Sequence, residues 1–204
     1  QLINFAHGEV VMVGAMVACS MIGLLAGQGW SPWLVLLIAT LTAVPACVLL
    51  GWLVERVAYR PLRDAPRLAP LITAIGVSII LQHLALLLWT RNPLAFPQLI
   101  PSVSYALTTT EGGASISAIQ LAILSLSLLL MAGLLLLVHR TRLGVAMRAT
   151  AQNPAVAGLM GVDTHRIIAI TFMLGAALAA IAGVMVGSYY GVAHYGMGSL
   201  LGLK

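Results

Sequence analysis

Charged side chains are scarce in this sequence. They make up 7% of its 204 residues, against about 25% in a typical soluble globular domain. Only five residues are acidic, and the single lysine is Lys204, the last residue. No G-x-x-x-x-G-K-[ST] loop can therefore form, which excludes nucleotide triphosphate binding of the P-loop kind. Cysteine is limited to Cys19 and Cys47, both inside apolar runs with no C-x-x-C spacing, so neither a disulfide framework nor a thiolate metal site is written here. His7-Gly8-Glu9 lacks the H-E-x-x-H spacing of a zinc helix, and no G-x-S-x-G nucleophile elbow occurs. No catalytic residue, metal ligand or cofactor signature is expected.

What the sequence has in quantity is apolar length. It is 61% hydrophobic, with a mean hydropathy of +1.05. Five nearly uncharged stretches run at approximately 9–27, 33–54, 68–89, 116–138 and 167–187. Each is close to the ~20 helical residues that cross a hydrocarbon core about 30 Å thick. The expected fold is all-α: one membrane domain over 1–204, a polytopic bundle of about five transmembrane helices. A chain that starts at Gln1 and stops at Lys204 is also expected to be a fragment of a longer membrane protein.

Eight of the ten basic residues lie in the alternate loops 55–67 and 139–166. By the positive-inside rule these two loops face the cytoplasm. Trp30, Trp33, Trp89, Tyr189 and Tyr190 then fall at outer ends and Trp52 and Tyr59 at an inner end, as an aromatic belt requires. Small residues recur every fourth position in the last span, at Gly175, Ala179, Gly183 and Gly187, and in the first, at Ala15, Cys19, Gly23 and Gly27. Such stripes let backbones approach closely where lipid supplies no hydrophobic drive. These two spans are expected inside the bundle, with the leucine-rich fourth span facing lipid.

Within the loop 139–166, Asn153-Pro154 reads as a helix start and Gly161 as a left-handed stop, with Asp163 or Thr164 capping the helix that follows. A two-turn cytoplasmic helix results, its apolar Val156, Leu159 and Met160 turned either to the membrane or to a partner protein. In the other loop, Asp64 can cap the third span. Asn4, His7 and Glu9 precede the first apolar run, where Glu9 suits a helix N-terminus. The three can equally mark a broken helix lining a polar pathway. Gln82 and His83 lie within the third span, as helix-to-helix hydrogen bonds or as pore-lining groups.

Several runs together carry a resemblance: I-N-F-A-H-G-E-V at 3–10, E-R-V-A-Y-R-P-L-R at 55–63, L-I-T-A-I-G-V-S-I at 71–79, and R-L-G-V-A-M-R-A-T-A-Q-N-P-A-V-A-G-L-M-G-V-D-T-H-R at 142–166. With the Gly/Ala-rich last span, the chain resembles the permease subunit of bacterial branched-chain amino-acid ABC transporters. The resemblance implies a multi-pass protein of the bacterial inner membrane that works by alternating access and binds no cofactor. It implies as partners a second similar permease, two cytoplasmic ATPase subunits, and a periplasmic binding protein that delivers Leu, Ile or Val. It also makes Asn153, Pro154, Ala155, Val156, Ala157, Gly158, Leu159, Met160 and Gly161 the coupling helix on which an ATPase docks. Sibling importers for urea, short amides or another amino acid share the fold. A secondary transporter would need ionisable groups at mid-membrane, for which His83 is the one candidate.

Overall fold

The computed structural model describes residues 7–62, 65–66, 68–97, 104–106 and 115–198. Five of its helices are long and apolar enough to cross a membrane. In chain order these are α1 (His7–Leu25), α2 (Pro32–Val54), α3 (Ala69–Leu88), α4 (Ala118–Arg140) and α7 (Thr164–Tyr190), with α5 (Arg142–Gln152) and α6 (Pro154–Leu159) between the last two. The architecture is the expected all-α bundle, and the spanning helices start and end within three residues of the expected bounds.

At the centre α1, α2 and α7 pack on one another. Glycine makes the crossings possible. A Cβ on Gly183 would overlap the Val11 carbonyl oxygen and lie 2.9 Å from the Ala15 nitrogen. One on Gly14 would stand 2.8 Å from the Ala180 Cα, so the α1–α7 contact is backbone on backbone. Gly187 likewise makes room for the Phe96 ring, 2.8 Å from where its Cβ would be.

The inner position of α2 was not expected. Its buried residues are Val35, Ala39, Ala43, Cys47 and Gly51, one in four along the helix. This stripe is the same device as in α7, hidden among exposed leucines such as Leu37, Leu41 and Leu49. Gly51 lies against Ala176 and Phe172 of α7. By contrast α4 has no buried residue and lies on the periphery, as its leucine content suggested.

Three further differences have local causes. First, α2 does not stop at the expected loop: a π-helical turn, Glu55–Tyr59, and a 3-10 turn, Arg60–Leu62, prolong it. The turn buries Glu55 and Tyr59 together, with the Tyr59 ring 5.1 Å from that of Phe172. Second, the cap position of α3 is Leu68, with no side-chain hydrogen bond, so Asp64 is not its cap and itself falls outside the described residues. Third, residues 142–152, expected as loop, form α5. Thr141 starts it by accepting from the Gly144 amide at 3.1 Å, and Arg148 donates back to the Val138 carbonyl, one of the unpaired acceptors at the end of α4.

Short antiparallel pairs close the outer connections: β1 (Leu94–Ala95) with β4 (Val192–Ala193), and β2 (Ser104–Ala106) with β3 (Ser115–Ser117). The first pair gives backbone polar groups partners beside the apolar core, where Ala193 is buried. Ser117 then caps α4 in a reciprocal box with Gln120. At this same end the Trp89 indole donates to the Ser20 hydroxyl at 2.6 Å, fastening α3 to α1.

Candidate functional site

α1, described from His7 onward, packs along α7, whose 27 residues extend to about 40 Å. The two run side by side, with His7 opposite Gly175, Gly14 opposite Ala180, and Ala15 opposite Gly183. Gly175 is itself about three turns, or ~16 Å, inside the start of α7. His7 therefore lies level with the middle of α7 rather than with its start, and Glu9, two residues on, is a buried ionisable group well along the bundle. Position in the sequence concealed this, because the first apolar run looks like a span that begins at the surface.

Glu9 is 1% exposed. Its Oε1 accepts from the Ser78 hydroxyl at 2.8 Å and from the Gln82 amide at 2.7 Å. Ser78 and Gln82 are one helical turn apart on a single face of α3, so both donors reach the same oxygen. Oε2 is buried with no hydrogen-bond partner. The chain after β4 folds back over it: Met197 is buried in the core, and a Cβ on Gly198 would overlap Glu9 Oε2 and stand 2.8 Å from the Gly8 carbonyl oxygen. Only glycine fits there.

The expected polar residues thus separate. Glu9 and Gln82 are joined. His7 is exposed, its ring edge facing Gly175. His83 points out of the bundle, its Nδ1 2.9 Å from the Ile79 carbonyl oxygen, because a one-residue step turns the side chain about 100° around the helix. Asn4 lies outside the described residues. Ser78 and Gly198 were not singled out in the sequence. The i, i+4 pairing of Ser78 with Gln82 was a readable signal for the first, but nothing short of the fold points to the second. Among the described residues no group of three or more His, Cys, Asp or Glu could hold a metal ion.

A second feature lies in the arginine-bearing connection between α4 and α7. Asn153 Oδ1 accepts from the amides of Ala155 and Val156 at 3.1 and 3.2 Å. At the far end the Gly161 amide donates to Gly158 and the Val162 amide to Ala157, with Gly161 at φ +83°. That is a Schellman stop, and it fixes α6 as a closed unit. Ala157 packs inward, while Leu159 and Met160 are 87% and 81% exposed. The remaining members of the stretch, Pro154, Ala155, Val156 and Gly158, are exposed as well.

Asp163 then starts α7 by accepting from the Arg166 amide at 3.1 Å. That bond holds its carboxyl below the usual carboxylate range, aided by the His165 amide and by the positive charge of Arg166 and His165. A depressed carboxyl adds stability above its unfolded pKa and loses it as pH falls through the lower folded value. Protection of the Arg166 amide from hydrogen exchange should hold from neutral pH through the ordinary carboxylate range and decline only in stronger acid. In Asp163→Ala the protection should be lower and flat with pH; a wild-type decline near neutrality would contradict the assignment.

The family described as branched-chain amino acid transport system, permease component, matches residues 1–204. The chain is 44% identical over 204 residues to the high-affinity branched-chain amino acid transport system permease protein BraD of Pseudomonas aeruginosa, covering 100% of this chain and 66% of BraD. It is 39% identical, with the same coverage, to the permease protein LivH of Escherichia coli K12. A more distant relative is the probable branched-chain amino acid transport permease protein LivH of Methanocaldococcus jannaschii, 28% identical over 190 residues, with 88% of this chain and 55% of that protein covered. The chain therefore spans about two thirds of the length of the bacterial relatives (66%). No solved structure matches it.

Proposed function

This chain belongs to the permease-component family of branched-chain amino acid transport systems, and on that premise we propose that it forms part of the membrane pathway of an ATP-binding-cassette importer for Leu, Ile and Val. It is a multi-pass protein of the bacterial inner membrane. Its partners are a second, similar permease, two cytoplasmic ATPase subunits that hydrolyse ATP, and a periplasmic binding protein that supplies the amino acid. Whole-chain similarity to BraD, at 44% identity, carries this reading.

The geometry supports a division of labour. α6, closed at both ends and bearing Leu159 and Met160 outward, is the handle that an ATPase grips. Through α5 and the Asp163 cap its movement passes to α4 and α7. Glycine-mediated contacts tie α7 to α1 and α2, so the inner helices shift together. Glu9 and Gln82, joined inside that group, line the pathway together with the exposed His7 and with Asn4, which precedes them in the chain, while His83 is on the outer face of α3.

Uptake of labelled leucine by cells carrying the full-length operon, with and without this gene, tests the function. Loss of high-affinity leucine uptake on deletion is the expected result. Unchanged leucine uptake with loss of urea or acetamide uptake would reassign the chain to a sibling importer.

A further inference from the structure

We propose that Glu9 Oε2 is the counter-charge for the α-ammonium group of the transported amino acid, at a position that Gly198 closes. This rests on the importer reading above and adds the chemical contact that reading lacks.

Ser78 and Gln82, both neutral, hold one carboxylate oxygen and so fix the direction of the other. Nothing in that arrangement needs a charge. A glutamine carbonyl would accept the same two bonds, with a neutral amide group in place of the second oxygen. A buried acceptor left unpaired costs about 1–3 kcal/mol, more when it is charged. Oε2 is such an acceptor, and among the described residues no cationic side chain pairs with Glu9. A purely structural role therefore leaves this oxygen unexplained.

The substrate's chemistry supplies what Oε2 lacks. An aliphatic amino acid entering the bundle needs only apolar walls for its side chain, and Val10, Met12 and Met197 are buried on the elements beside Glu9. Its ammonium needs an anionic acceptor at depth. The other buried acid among the described residues, Glu55, belongs to the π-turn that ends α2 and has interactions of its own. Glu9 is the acid that the packing of α1 along α7 carries inward. The approach is controlled by the returning chain: with Gly198 against Oε2 no ammonium fits, so residues 196–198 must withdraw before the contact forms. A side chain at 198 would prevent that closure.

The experiment uses the complete transporter in proteoliposomes. Glu9→Gln keeps the size and both hydrogen bonds but removes the charge, and should lower leucine uptake below saturation about 30-fold or more, as expected when a charged partner is lost. Glu9→Asp should recover part of it. In parallel, a hydrophobic carbodiimide should modify Glu9 in the wild-type complex, and leucine-loaded binding protein with ATP should slow that modification while empty binding protein should not. Uptake by Glu9→Gln within about twofold of wild type, or modification indifferent to loading, overturns the proposal. If Glu9→Gln fails to assemble, the modification experiment on wild type decides alone. A wild-type complex that imports no leucine overturns the importer reading first, and this inference with it.

Discussion

Gly183→Leu should prevent stable assembly of the bundle. The position has no room for even one carbon, since a Cβ there would overlap the Val11 carbonyl oxygen and crowd the Ala15 nitrogen. Both are backbone atoms of a neighbouring helix, so no side-chain rotation relieves the overlap, and α1 and α7 must move apart along their length. Overpacking a core costs about 1–3 kcal/mol when side chains can adjust; here they cannot, and the cost should reach or exceed the top of that range. At about 2–4 °C per kcal/mol for a chain of this size, thermal unfolding of the purified complex should fall by about 10 °C or more. Gly175→Leu is the comparison, because the nearest atom to a Cβ there is the His7 ring edge at 3.9 Å. It should lose far less. Equal melting temperatures for wild type and Gly183→Leu would show that the two helices do not meet in the assembled protein.

Why some of this was legible in the sequence and some was not follows from how each signal is made. A spanning helix announces itself by length and composition, which do not depend on its neighbours. The caps of α6 and α7 are equally local: Asn153, Gly161 and Asp163 act within four residues of themselves. The inner stripe of α2 was hidden because Ala39, Ala43, Cys47 and Gly51 are diluted by leucines that face outward, and average hydropathy weighs both faces alike. The helix α5 was missed for another reason. Arg142 and Arg148 read as topology signals of a loop, although Ala, Met, Leu, Arg and Gln favour a helix and Thr141 offers a cap.

The Glu9 site was half legible. Sequence brings a glutamate to the start of one apolar run and a glutamine into another, and polar groups in spans invite attention. Depth is a different kind of fact. It depends on how α1 is staggered along α7, with Phe96, Trp89 and β1–β4 tying the far ends, and that is a property of the assembled helices. The same holds for Gly198, whose importance arises from a chain reversal far from Glu9 in sequence. Such contacts leave no periodicity to read.

Gly158→Trp should abolish stimulation of ATP hydrolysis by loaded binding protein while leaving membrane insertion intact. Beyond its chain neighbours and the backbone of its own helix, nothing lies within 4 Å of where a Cβ at 158 would stand, so an indole can be accommodated there without disturbing the fold of α6. The exposed Leu159 beside it offers the apolar surface on which a partner would close, and large side chains buried at the centre of an interface carry most of its energy. An indole in that gap holds the partner off. Loss of even about 3 kcal/mol of docking energy lowers occupancy more than a hundredfold. Stimulated hydrolysis should therefore drop to the unstimulated rate, and the ATPase subunits should no longer co-purify with the membrane complex. The charge of the loop 139–166 predicts a cytoplasmic position, the side from which those subunits would dock, and cysteine labelling of Leu159→Cys from either side of intact vesicles checks that placement independently. If a well-inserted Gly158→Trp complex still responds fully to loaded binding protein, α6 is not the handle. The route from ATP hydrolysis to the inner helices would then have to be sought in the other arginine-rich connection, between α2 and α3.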